Sequence, residues 1–149
     1  MKKRIFGEIE GFPEGSTFDS RLALSWAGVH GPTQAGISGT SLEGADSIVI
    51  SGGYEDDIDY DGEIIYTGHG GNNPATGKQV ADQYLDRGNR ALAISKEQNL
   101  PVRVIRQIKK ASANSSPEYR YDGLYQVKDY WSEKGRAGYI IYRFHLVRI

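Results

Sequence analysis

The chain of 149 residues contains no cysteine, which excludes disulfides and thiolate metal sites outright. It also lacks any apolar run near the roughly 18–20 residues that a membrane-spanning helix needs. The start, Met1-Lys-Lys-Arg4, has the basic character of a signal peptide but no apolar segment behind it. These absences permit a cytoplasmic, nucleoid-associated location in a bacterium, which is the expected one, with no membrane partner expected. There is no P-loop, no dinucleotide-binding glycine fingerprint and no nucleophile elbow. The three histidines, His30, His69 and His145, are far apart and lack paired ligand spacing, so zinc is unsupported. No cofactor, no metal and no catalytic residues are expected, and the chain reads as no enzyme by itself.

Charge is present in quantity but unevenly placed. The formal net charge is −1. Residues 41–63 nevertheless carry −8 with no basic side chain, and residues 101–149 carry +6. A basic C-terminal third is suited to phosphates even in a near-neutral chain. The same pattern is also what a solvated surface looks like.

The length fits a single domain over 1–149 with a core of its own. Residues 6–16 and 28–39 are glycine-rich loops whose composition permits tight turns or close backbone approach. Strands are expected at Arg21–Ser25, Ile48–Ile50, Ile64–Thr67, Val102–Ile108, Tyr121–Val127 and Gly138–Arg148. Gln79–Gln98 has partial helical periodicity, with an expected interruption at Gly88-Asn89. Lys109–Glu118 reads as a polar loop, and the turn before the last strand contains Glu133–Gly138. Many short strands with one helical insert imply an α+β domain on a curved sheet or barrel.

The chemistry concentrates in residues 47–71, read as strand, acidic turn, strand. Tyr54 and Tyr66 bracket a loop holding Glu55, Asp56, Asp57, Asp59, Asp61 and Glu63. Asp57-Ile-Asp-Tyr-Asp-Gly62 matches the opening of a calcium loop, yet position twelve, where a bidentate Glu should close the site, is Gly68. A flat ring between two tyrosines fits better. Cytosine offers an amino donor at N4 that a carboxylate accepts, and backbone N–H groups serve its ring acceptors. Thymine has a carbonyl at that position, which a buried carboxylate repels. Each base–aromatic stack contributes about 1–3 kcal/mol, comparable with the cost of drawing a base out of a duplex.

Beyond that slot, Phe6-Gly-x-Ile-x-Gly-x-Pro-x-Gly15, Gly28-Val-His-x-Pro32, Ala35-Gly-Ile-x-Gly39, Gly52-Gly-Tyr-Glu-Asp-Asp-x-Asp59, Tyr66-Thr-Gly-x-Gly-Gly71, Asp82-Gln83, Asn89-Arg-Ala-Leu92, Pro101-Val-Arg-Val-x-Arg106, Arg120-Tyr-Asp-Gly-x-Tyr125 and Tyr130-Trp-x-Glu-Lys-Gly135 occur in order over nearly the whole chain. In this the sequence resembles the SET- and RING-associated (SRA, or YDG) domain, of the bacterial type found with HNH nucleases. The resemblance implies a PUA-like twisted β-barrel with short flanking helices. It also implies recognition of 5-methylcytosine, or a related modified cytosine, by flipping the base from double-stranded DNA.

By position, the resemblance makes Tyr54 and Tyr66 the stacking pair and Asp57 the acceptor of the cytosine amino proton. Backbone groups near Gly53 and Thr67 complete the Watson–Crick edge. Ser51, Gly36 and the Gly68-His69 segment lie near the 5-substituent. Gln34 falls where the family inserts a side chain into the vacated stack. Asn72–Gln79 corresponds to a second, here shortened, DNA-invading finger, with Lys78 and Gln79 the nearest candidates for its DNA contacts. The Asp122 of Tyr121-Asp-Gly123 anchors a turn. Arg103 and Arg106, with Lys109, Lys110, Arg143 and Arg148, are the cations expected to meet DNA phosphates. His69 stands where a small residue is expected, and with Ser51 it makes that corner polar enough for 5-hydroxymethylcytosine. The implied partners are DNA carrying modified cytosine and an HNH-type nuclease domain, in modification-dependent restriction. The readings left beside this one are a nucleic-acid-binding module without modified-base specificity and a small enzyme acting on a flipped base.

Overall fold

A computed structural model describes residues 4–51, 57–60, 62–109 and 116–149. Eight strands and two helices follow in the order β1 (Thr17–Phe18), α1 (Arg21–Ala27), β2 (Ile37–Thr40), β3 (Gly44–Ile50), β4 (Ile58–Tyr60), β5 (Glu63–Thr67), α2 (Arg87–Glu97), β6 (Val102–Lys109), β7 (Glu118–Lys134) and β8 (Ile140–Arg148). The strands form one mixed sheet, ordered β2-β3-β6-β7-β8-β5-β4, with β1 paired to β7. Its β3/β6 pair is parallel, and the chain between them supplies β4, β5 and α2.

Both faces of the sheet are covered, and β3 shows why the sequence permits this. Ile48 and Ile50 join a core with Ala91 and Leu92 of α2. Val49, on the other pleat face, joins Leu24 of α1, Phe18 and Tyr121. A strand buried on both sides needs the continuous β-branched run that Ile48-Val49-Ile50 provides. The sheet is strongly twisted but not closed by hydrogen bonds, because β2 and β4 remain its two edges among the described residues. The expected barrel is therefore an open one, with a gap between those edges.

Three local expectations change. Arg21–Ser25 is part of helix α1, not a strand. The Ser20 side chain accepts the Ala23 amide and Gly28 ends the helix at φ 77°, so capping overrides the alternation of apolar residues. The expected 20-residue helical segment contracts to Arg87–Glu97, with Gly88 and Asn89 inside its first turn rather than breaking it. The acidic stretch is not all turn, since Ile58–Tyr60 pairs with β5.

Candidate modified-base site

The gap in the sheet opens into a cavity of about 940 Å³. Its walls come from loop 31–36 and β2, the end of β3 at Val49 and Ser51, Asp57, Tyr66 of β5, the His69–Asn72 segment, and Arg87-Gly88 at the start of α2. Each wall has an identifiable brace. The Val49 amide donates to the Gly36 carbonyl at 2.8 Å, tying the loop to β3. Tyr66 is only 4 % exposed, and its Oη lies 3.4 Å from the Val49 carbonyl. A Cβ on Gly36 would stand 2.7 Å from that hydroxyl, so glycine is what lets the tyrosine seat there.

Asp57 sits directly before β4, and its Oδ1 accepts the Thr67 amide at 2.7 Å. This bond fixes a carboxylate on the cavity wall beside Tyr66. The Thr67 backbone N–H thus holds Asp57, while its hydroxyl is buried without a hydrogen-bond partner. Tyr54 and Gly53, the other expected ring contacts, lie outside the described residues. Asp57 faces Thr67, and Asp59, two residues on, faces Arg106 at 2.9 and 2.6 Å. Their oxygens are turned to different partners, as a pocket wall requires and a calcium loop does not.

His69 lines the cavity, as do Ser51 and Gly36. Its position is set by two side chains in motifs that had no assigned role. Asn89 accepts the His69 amide at 2.8 Å and donates to the His69 carbonyl at 3.0 Å. Gln83 donates to the Gly68 carbonyl at 2.7 Å and accepts the Tyr142 amide at 2.9 Å. Gly68 packs so closely on Asn89 that a Cβ would fall 2.4 Å from its Oδ1. Two amides clamping one backbone turn are a recognisable device, but only the fold brings residues 83 and 89 onto residue 68.

Gln34 is exposed on the rim, in a loop held from both sides. Arg21 donates to the Pro32 carbonyl at 2.9 Å and the Ala35 carbonyl at 2.5 Å. From inside, His30 Nε2 donates to the same Ala35 carbonyl at 2.9 Å, while Nδ1 faces the Ser47 hydroxyl at 2.7 Å. Burial pushes the His30 imidazole down to about 3, against a smaller opposing effect of the Ala35 bond. It is therefore neutral at ordinary pH. In the second expected finger, Lys78 is exposed. The Gln79 amide instead turns inward to the Gly70 and Ala81 carbonyls, both at 2.9 Å, and braces the loop.

The expected phosphate contacts separate. Arg103 is 2 % exposed and donates to the carbonyls of Val29 at 2.9 Å, Ile5 at 2.7 Å and Gly7 at 2.8 Å. It is an interior cation that knits the N-terminal segment to β6, out of reach of a phosphate. Arg106 is half-buried between Asp59 and Asp122. Arg143 is buried and paired with Glu133, and Arg148 is exposed and paired with Glu14. Lys110 and the Lys109 side chain lie outside what is described. The cations that do line the cavity, Arg4, Arg21 and Arg87, come from the first two thirds of the chain rather than its basic end.

The SAD/SRA domain model matches residues 5–149. The E3 ubiquitin-protein ligase UHRF1 of Xenopus laevis is 41 % identical over 165 residues, covering 96 % of this chain and 21 % of its own length. Among solved structures, the modification dependent TagI restriction endonuclease superposes with a TM-score of 0.91 at 50 % identity, over all of this chain and 54 % of that one. The SRA domain of SUVH5 bound to fully hydroxymethylated CG DNA gives 0.83 at 43 % identity, over 97 % of this chain and 94 % of that one. The chain thus spans about a fifth of the curated relative and about half of the endonuclease, and nearly all of the isolated SUVH5 domain. Its PUA-like α+β fold, open cavity and ordered motifs agree with that extent of similarity, and the chain belongs to the SAD/SRA domain family.

Proposed function

We propose that this chain reads DNA by taking a modified cytosine, rotated out of the duplex, into the cavity between the β2 and β4 edges. The observation that carries the reading is Asp57, a carboxylate pinned at the cavity wall by the Thr67 amide with the Tyr66 ring beside it. A fixed acceptor there selects for the N4 amino group of cytosine and against the thymine carbonyl. Tyr66, with Tyr54, stacks on the ring. Ser51, Gly36 and His69 surround the 5-substituent, and Gln34 fills the vacated stack.

A hydroxymethyl group has a specific argument. His69 and Ser51 both line the cavity, and the His69 Nε2 lies a long 3.4 Å from the Asp86 carbonyl, so turning that ring and the Ser51 hydroxyl toward a 5-substituent adds hydrogen bonds to apolar contact. The SUVH5 domain, 43 % identical, binds fully hydroxymethylated CG DNA. A methyl group alone contributes only about 0.8 kcal/mol by burial, so polar contacts can decide the preference. The similarity to a modification-dependent restriction endonuclease supports a nuclease as fused or separate partner, cutting what this domain reads, and the sequence resemblance makes the HNH type the expected one. No described helix is long and apolar enough to cross a membrane.

Titration with matched duplexes carrying cytosine, 5-methylcytosine or 5-hydroxymethylcytosine at one site tests this reading. The expected result is a clear preference for modified DNA, lost in Asp57→Ala while salt-dependent background binding stays. Equal affinity for all three duplexes refutes it. Rejection of the hydroxymethyl form alone refutes the role given to His69 and Ser51.

A further inference from the structure

A second concavity of about 470 Å³ lies where Arg106, Arg120 and Arg148 meet Asp59, Asp122 and Glu14. The three cations are matched by three carboxylates, so it is not an anion site. Its geometry instead concerns the segment that carries Asp57. That segment connects the end of β3 to the start of β4. On the outgoing side, the Arg106 backbone stands opposite Ile50, the last residue of β3. On the returning side, the Arg106 guanidinium grips both oxygens of Asp59, at 2.9 and 2.6 Å. One residue of β6 therefore meets both ends.

The need for such a grip follows from the topology. β4 has three residues and, among the described residues, a ladder partner on one side only, β5. Asp57 stands directly before β4 and Asp59 in its middle, two residues apart along the chain. Holding the second limits the movement of the first. The Arg106 guanidinium is in turn fixed by Asp122, which also takes a two-nitrogen contact from Arg120. Burial pushes the Asp122 carboxyl up, but the two arginines hold it below the usual carboxylate range, so it is charged when Arg106 needs it. Planar guanidinium–carboxylate pairs fix orientation as well as distance.

We propose that Arg106 is a positioning residue for base recognition: paired with Asp59 and backed by Asp122 and Arg120, it clasps both ends of the base-reading segment and aligns Asp57. This rests on the reading of Asp57 as the base acceptor. It replaces the expectation that Arg106 meets a DNA phosphate, and the two roles differ in what they do to salt dependence. A lost phosphate contact weakens all duplexes alike and lowers the slope of log affinity against log salt by about 0.9. A lost clasp lowers the ratio of modified to unmodified affinity and leaves the slope alone.

The experiment compares wild type with Arg106→Gln, Asp59→Asn, the double variant and Arg106→Lys, measuring that ratio, the salt slope and exchange of the Thr67 amide. The ratio is expected to fall about tenfold in each single neutral variant, with no further fall in the double, as coupled residues behave. Arg106→Lys keeps the charge but not the fork, and recovers part of the ratio. Thr67 exchange accelerates in step with the loss. An unchanged ratio in both single variants overturns the clasp, as does a reduced slope with equal loss on both duplexes. If the wild type shows no preference at all, the proposed function fails, and the clasp is then decided by Thr67 exchange alone. Asp59 lies on a half-exposed edge, so its variant tests the pair even if Arg106→Gln fails to fold.

Discussion

Replacing Gly36 with alanine tests the architecture of the slot without removing a polar side chain. The new Cβ would lie 2.7 Å from Tyr66 Oη and 3.7 Å from the Val49 carbonyl, where ordinary contact is 3.4–4 Å. The tyrosine hydroxyl must therefore retreat by about 0.7 Å to reach the near limit of contact. Tyr66 is 4 % exposed on a strand paired on both sides, so its backbone has little room to yield. The ring has to turn instead, at about 0.5–1.5 kcal/mol for an off-rotamer torsion. A turned ring forfeits much of a stack worth about 1–3 kcal/mol. At about 1.4 kcal/mol per tenfold, the preference for modified DNA falls by roughly 5- to 150-fold. Anisotropy titration with matched modified and unmodified duplexes reads this ratio directly. Gly31→Ala is the control, since its Cβ meets nothing nearer than Ser38 Oγ at 4.0 Å. A Gly36→Ala variant whose ratio stays within about twofold of wild type, like the control, refutes the claim that the Gly36–Tyr66 contact sets the slot.

Two further outcomes concern the interior. Arg103→Met strands three carbonyls, each costing about 1 kcal/mol or more, and leaves Asp46 held by Arg4 and the Ser47 hydroxyl. Thermal melting is expected to show a loss of about 3–5 kcal/mol, or roughly 10 °C. DNA binding by the folded fraction keeps its salt slope; a stable variant with a reduced slope would return Arg103 to the phosphate contacts. His30 gives a pH dependence. Native His30 is neutral down to about 3, whereas in the unfolded chain it takes a proton near 6.5. Stability therefore falls as pH drops from 6.5 toward 3, by about 2 kcal/mol between pH 6.5 and pH 5. Urea midpoints across that range should decline in wild type and stay nearly flat in His30→Gln, and equal declines would show that other groups govern the acid limb.

The strands were legible where burial on both faces demanded β-branched runs, as at Ile48–Ile50 and Val102–Ile105. Helix α1 was hidden because Leu22 and Leu24 alternate as in a strand, and only the Ser20 and Gly28 caps distinguish the two. Val80 and Tyr84 imitate a helix face, but they are 50 % and 70 % exposed and belong to an extended segment whose Gln83 side chain supports the His69 turn. The acidic loop and its aromatic bracket pointed to Asp57 and Tyr66, which the fold brings to one cavity wall. The arginines could not be sorted, because charge composition says nothing of depth. Arg103 lies in a run of apolar residues on a strand flanked by two neighbours, and that context was the available sign that it points inward.

The open sheet also bears on self-association. A sheet with two edges can pair with a second sheet, and closed barrels avoid this by having none. Here β2 is packed beneath α2, with Gly88 against Ile37. β4 is short, and its middle residue is a carboxylate already gripped by Arg106 of β6. An incoming strand would have to displace a charged pair to gain three residues of ladder. The gap proposed to admit a base is thus poorly suited to a β-strand, and an open slot there need not offer a template for aggregation.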